Sequence, residues 1–330
     1  MSLRTRLTEL LNIEHPIVSA PMAFAAGGRL AAAVSASGGL GLIGGGYGDR
    51  AWLEREFAAA GNARIGCGFI TWSLAARPDL IDLVLEHLPA AVMLSFGDPV
   101  PFAAKIKASG SKLICQIQTR EHAKQAVDAG ADIIVAQGSE AGGHGMVRAT
   151  MTLVPEIADY LAGVSASTLL LAAGGIADGR GLAAALMLGA DGVMIGSRFW
   201  ASKEAVVHPS LQQRAVKATG DETIRTTVAD VVRGYAWPPE FSGRLVETRF
   251  VRDWHGRPQR LCDEATLARE RTRYLSAMET GDAENTGVWV GEATALIHDI
   301  RPAAELLQMI AADAESRLND VANNMILAVR

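Results

Sequence analysis

Eight short apolar runs punctuate the first two-thirds of the chain, at residues 16–20, 40–43, 64–69, 91–95, 112–117, 132–136, 168–172 and 192–195. Most are continuously apolar rather than alternating, the pattern of strands buried on both faces of a parallel sheet. Amphipathic stretches fall between them, at 79–88, 101–109 and 119–129, and another opens at Asp178 with Leu182, Ala185 and Leu186 at helical spacing before Gly189. One weak repeat supports a modular design. Ala129-Gly130-Ala131-Asp132 and Leu188-Gly189-Ala190-Asp191 each close a helical stretch and launch an apolar run.

Eight β/α steps between about residue 16 and residue 200 predict an α/β fold of the (β/α)8 TIM-barrel type. An open doubly wound sheet would call for a GxGxxG after the first strand and an acidic ribose ligand beyond it. Neither Gly27-Gly28 nor Gly44-Gly45-Gly46 supplies that fingerprint. The pattern changes after residue 200, where Trp237-Pro238-Pro239, Trp254, Trp289 and many charges fall. The expected division is a barrel over 1–202, a helical accessory or lid region over 203–300 with a helix at 267–278, and a C-terminal helix over 301–330. Pro302 opens that last helix, with Leu306, Ile310, Ala314, Leu318, Val321 and Met325 on one stripe. Packing back on the barrel is its expected use; a subunit contact in a homodimer is the other.

Composition narrows the class. The chain has 330 residues, 49% of them hydrophobic and 20% charged, which excludes global disorder. A net charge of −5 supplies no basic field for nucleic acid or anionic lipid. Cys67, Cys115 and Cys262 form no CxxC or zinc spacing. No apolar run reaches the roughly 18 residues of a spanning helix, and the N-terminus lacks a leader-like pattern. A soluble, cytoplasmic protein without disulfides is expected.

In a barrel, chemistry gathers at the C-terminal ends of the strands. Those ends read Ala20-Pro21-Met22, Gly66-Cys67-Gly68, Gln116-Ile117, then the loop from Gln137 through Glu140, Gly142, Gly143 and His144, then Gly174-Gly175 and Gly196-Ser197. Glycines after the last two strands let bare backbone N–H groups approach an anion, and a short helix from Ser197 would point its positive end the same way. A phosphorylated ligand or cofactor is therefore expected there. His144 lies among glycines in a polar loop with no apparent apolar face to bury it, and imidazole can exchange a proton near neutrality. Glu140 is expected to shape the loop rather than move protons. Metal clusters, a nucleophile elbow, a Walker loop and a strand-end lysine are not found.

The runs Ala20-Pro21-Met22, Ala136 through Gly145, Ala173-Gly174-Gly175-Ile176-Ala177-Asp178-Gly179-Arg180-Gly181, Gly189 through Val193 and Gly196-Ser197-Arg198-Phe199 resemble the nitronate monooxygenase family, formerly 2-nitropropane dioxygenases. Gly281-Asp282 and Val288-Trp289-Val290-Gly291 extend the likeness. The resemblance implies an FMN-dependent barrel enzyme acting on a small molecule and O2, oxidising alkyl nitronates or nitroalkanes to a carbonyl compound and nitrite. By matching position, Gly174, Gly175, Gly196 and Ser197 would hold the FMN phosphate. Ala20, Pro21 and Met22 would pass beneath the flavin, with Gly68, Gln116, Gln137, Gly142 and Gly143 beside it, and His144 would be catalytic. Two positions depart from the family pattern: Gly68 stands where many relatives carry Asn, and Gln116 where some carry Lys. The related FMN-dependent enoyl-ACP and quinone reductases, which use NAD(P)H, share the barrel and the Gly-Gly-His loop and leave a reductase as the alternative.

Overall fold

The computed structural model describes residues 3–325, the side chains of Cys262, Asn324 and Met325 excepted. Its strands in chain order are β1 (Ile17–Ser19), β2 (Leu42–Gly46), β3 (Gly66–Ile70), β4 (Ala91–Ser95), β5 (Lys112–Ile117), β6 (Ile133–Gln137), β7 (Gly143–Gly145), β8 (Leu169–Ala173), β9 (Gly192–Ile195), β10 (Thr223–Thr226) and β11 (Ser242–Val246). Eight of them form one parallel sheet in the order β1-β9-β8-β6-β5-β4-β3-β2. A parallel bridge from Val18 to Leu40, just ahead of β2, brings the two edges together. The sheet is a TIM barrel.

Alternation explains why the strands read as solid apolar runs. Val18, Met93, Ile114, Val135, Leu171 and Met194 point into one buried cluster, while Ile17, Val92, Leu113, Ile134, Leu170 and Val193 belong to another that includes the surrounding helices. Each face of each strand is thus covered. The helix Arg6–Leu11 adds Leu7 and Leu11 to the first cluster, both fully buried, and a Cβ at Gly192 would lie 2.6 Å from Leu7. It closes the barrel at the end where the strands begin.

The second strand begins two residues later than its apolar run and continues through Gly44, Gly45 and Gly46, beyond the run's end at Ile43. Packing dictates the glycines: a Cβ on Gly44 would sit 2.2 Å from the carbonyl oxygen of Met22, whose segment crosses the strand there. Asp178 and Thr119 cap the helices Gly179–Met187 and Arg120–Asp128 through their side-chain oxygens. After β9 and the short helix Ser197–Trp200 the chain leaves the barrel, then returns as the helix Ala303–Asp320. Leu306, Leu307, Ile310, Ala311 and Ala314 of that helix are buried in the barrel's outer cluster, against Gly179–Met187 and Gly28–Ala36; Val321 is exposed.

The region between, expected to be helical, also contributes β10 and β11. These form an antiparallel three-stranded sheet with β7, pairing Gly243 with His144. The loop after β6 is thereby stitched to the accessory region. Cys67 and Cys115 are buried free thiols, each pushed up to about 12 by burial. Among the described residues no helix is long and apolar enough to cross a membrane.

Candidate active site

One cavity, with about 1280 Å3 of empty space including its mouth, opens at the C-terminal ends of the strands. Its wall contains Ala20, Pro21, Met22, Gly68, Gln116, Gln137, Gly142, Gly143, His144, Gly174, Gly175, Gly196 and Ser197. Every residue expected from the sequence to be catalytic or to bind the cofactor lies in this wall.

The rim at β8 and β9 is bare backbone. Gly174 and Gly175 adopt φ of 100° and 76°, values that glycine alone tolerates easily. A Cβ on Gly174 would lie 2.9 Å from the Gly138 oxygen, so that position is closed to side chains. Gly143, Gly175 and Gly196 differ: a Cβ on Gly143 would meet nothing within 4 Å, and one on Gly175 or Gly196 would make only ordinary contacts, with Glu140 at 3.5 Å and Ala20 at 3.6 Å. Among the described residues, the backbone N–H groups of Gly175 and Ser197 donate to no protein acceptor. Uncommitted donors in the cavity wall fit an anionic group such as a phosphate. The Ser197 hydroxyl is already engaged, accepting from Gly291 N–H at 2.9 Å.

The floor is held by side-chain amides. Gln137 Oε1 accepts from Gln116 Nε2 at 3.1 Å and from Gln118 Nε2 at 2.9 Å. Gln118, two residues on at the same strand end, is a buried partner. The space of the residue opposite, Gly68, is taken by proline: a Cβ there would lie 2.4 Å from Pro21 Cγ. Glu140 accepts from Thr150 N–H at 3.0 Å and from the Thr150 hydroxyl at 2.9 Å, pinning the loop to the start of the next helix.

The environment of His144 corrects the sequence reading. It is buried, 9% exposed, on β7 rather than in an open polar loop. The apolar faces come from residues distant in sequence, which local composition cannot reveal. Trp237 stacks on the imidazole with centroids 3.5 Å apart and planes at 5°, and Trp289 lies at 5.5 Å. Phe96, which holds a left-handed φ of 61°, meets the imidazole and the Trp237 indole edge-on. Nε2 of His144 lies 2.8 Å from Asp230 Oδ2. Burial drives the imidazole below its ordinary pKa of about 6.5, outweighing the carboxylate's upward pull. Asp230, Arg233 and Phe96 carried no signal in the sequence. Among the described residues, no group of three or more metal-ligating side chains occurs.

The nitronate monooxygenase family model matches residues 4–63 and 71–313. The chain is 32% identical to a nitronate monooxygenase of Neurospora crassa, over 92% of this chain and 90% of that one. It is 29% identical to a 5-hydroxy-7a-methyl-1-oxo-octahydro-1H-indene-4-carboxyl-CoA dehydrogenase of Mycobacterium tuberculosis, over 96% and 98%. Among solved structures, FabK from Thermotoga maritima superposes with a TM-score of 0.83 at 31% identity, covering 97% of this chain and 99% of that one.

Proposed function

This chain belongs to the nitronate monooxygenase family, and from that premise we propose that it binds FMN and uses O2 to oxidise alkyl nitronates, yielding a carbonyl compound and nitrite. One observation carries the reading: a buried imidazole and two glycine-bare strand ends with uncommitted N–H donors share the wall of a single cavity.

FMN, when bound, supplies the electron-accepting chemistry. The chain supplies position and charge. Gly174, Gly175, Gly196 and Ser197 would take the phosphate, and Ala20, Pro21 and Met22 would lie under the ring system. Gly68, Gln116, Gln137, Gly142 and Gly143 would border its edge. The Gln116–Gln137 contact keeps an uncharged amide network where a lysine would add a cation. His144, kept neutral by burial, is suited to accept the acidic α-proton of a nitroalkane or to hydrogen-bond a nitronate already formed. Trp237, Trp289 and Phe96 set aromatic rings around the imidazole that would make that transfer.

Charge in the wall favours a substrate with an uncharged tail. Apart from His144 and the Tyr47 phenol, the ionisable side chains lining the cavity are Glu140 and Arg233, and each already has a partner, Thr150 and Asp230 respectively. The test is an anaerobic absorbance spectrum of purified protein, mixed in turn with an alkyl nitronate and with NADH. The expected result is bleaching of an FMN spectrum by nitronate and not by NADH, with nitrite formed on admitting O2. Bleaching by NADH alone would point to a reductase, and colourless protein that takes up no FMN would overturn the proposal.

A further inference from the structure

Asp230 lies on the helix Val228–Arg233, 86 residues from His144 in sequence, and is only 2% exposed. Both of its carboxylate oxygens are committed. Oδ2 faces His144 Nε2 at 2.8 Å, and Oδ1 accepts from Arg233 Nη2 at 2.8 Å. Arg233 is itself held over the rings of Trp289 and Tyr235, 4.6 Å and 5.0 Å from their centroids. A carboxylate that already binds a guanidinium can only accept, so the proton between Asp230 and His144 sits on Nε2. A neutral imidazole has one N–H, and its lone pair is then on Nδ1. Among the described residues Nδ1 has no hydrogen-bond partner, and the imidazole lines the cavity.

We infer that Asp230 is the positioning residue that selects the tautomer of His144 and makes Nδ1 the nitrogen that takes the substrate proton. The inference rests on the reading of His144 as the base. In the step, the α-carbon C–H proton moves to Nδ1 and the C–H electron pair becomes the C=N bond of the nitronate. The negative charge settles on the two nitro oxygens. The trio of His144, Asp230 and Arg233 is neutral before the transfer and carries +1 afterwards, balanced by the nitronate's −1. Asp230 stays unprotonated and sits beside the imidazolium it stabilises. A purely structural role, pinning β7 to the accessory region, would be indifferent to which nitrogen carries the proton.

The experiment compares the holoenzyme with Asp230→Asn and Asp230→Glu, each labelled with 15N in its histidine rings. His144 is assigned by the signals lost in His144→Gln. In the parent enzyme Nδ1 is expected to give an unprotonated shift and Nε2 a protonated one. In Asp230→Asn that preference is lost, and kcat on a neutral nitroalkane falls by about 10²–10⁴-fold while KM stays within about threefold. Turnover of a preformed nitronate falls by less than about tenfold, and Asp230→Glu recovers most of the loss on the nitroalkane. A protonated Nδ1 in the parent, unchanged kcat in Asp230→Asn, or equal losses on the two substrates would overturn the inference. Should Asp230→Asn fail to fold, the parent's nitrogen shifts and the Asp230→Glu kinetics decide. A parent enzyme that oxidises neither substrate overturns the functional reading instead, and the nitrogen spectra still decide the tautomer.

Discussion

The indole of Trp237 lies flat on the imidazole of His144, with centroids 3.5 Å apart and planes 5° from parallel. Trp237 comes from the accessory region, yet its Nε1–H donates to the hydroxyl of Tyr47, on the loop after β2, at 3.1 Å. Tyr47 stacks in turn on Tyr235 at 3.8 Å. Barrel and accessory region therefore build one wall, and the imidazole's orientation depends on both. Such an aromatic pair contributes about 1 kcal/mol beyond simple burial. Trp237→Leu is expected to keep the fold and bound flavin while lowering kcat on a nitroalkane by roughly five- to tenfold. Steady-state kinetics beside a thermal melt would check this, and an unchanged kcat would remove Trp237 from the site.

A second prediction concerns acid. Burial lowers the pKa of His144 in the folded chain below the ordinary 6.5 or so of the unfolded one. Above that value both states hold a neutral ring, and the shift contributes its full stability. As pH falls through about 6.5 the unfolded chain takes up a proton that the folded chain refuses, so this contribution is lost toward the folded value. His144→Gln should weaken the loss of stability between pH 7 and pH 5, read from urea midpoints. The same shift keeps the ring neutral, and usable as a base, at pH values where a free imidazole is largely protonated. An NMR titration of His144 with a midpoint at or above the free value would contradict both statements.

Gly68 gives a third. A methyl there would sit 2.4 Å from Pro21 Cγ, on the segment expected to run beneath the flavin. Gly68→Ala must push that segment into the cavity or force β3 outward, costing about 1–3 kcal/mol. The expected outcome is a lowered melting temperature together with reduced flavin content, measured by absorbance per protein. A variant with full flavin content and unchanged melting would show that Pro21 has more room than its packing indicates. Placing Asn at this position is expected to be worse, because the longer side chain meets the same ring.

Much of this molecule could be read from its sequence, for physical reasons that also mark the limits. Runs such as Ala91–Ser95 and Lys112–Ile117 were located to the residue because burial on both faces leaves an unbroken apolar signature. The glycine rim was legible because bare backbone can be written only as glycine. The surroundings of His144 were not. Asp230, Trp237 and Phe96 reach it from three separate segments, and nothing in the Gly-Gly-His loop announces a buried ring. The strands β10 and β11 were hidden for a related reason: β7, the strand that ties β11 to the barrel loop, is three residues of a glycine-rich loop that has no strand pattern of its own.

The internal repeat leads to the last prediction. Asp132 and Asp191, at matching places in the two copies, do the same work: Leu113 N–H donates to Asp132 Oδ2 at 2.8 Å, and Leu170 N–H to Asp191 Oδ2 at 2.9 Å. Each carboxylate caps a neighbouring strand at the end where the strands begin, opposite the cavity. Hydrogen bonds to charged acceptors contribute about 1.5–3 kcal/mol each. Asp132→Ala should therefore cost stability in that range. Asp191→Ala should cost more, because both its oxygens also accept from Arg6 on the helix that closes the barrel. Without that carboxylate Arg6 loses its anchor, and the hold of Leu7 and Leu11 on the barrel interior loosens with it. Urea denaturation should rank the two variants in that order, while kcat measured well below the transition stays at the parent value. A reversed order would mean that Arg6 contributes nothing to closure, and a reduced kcat would mean that the two ends of the barrel are mechanically linked.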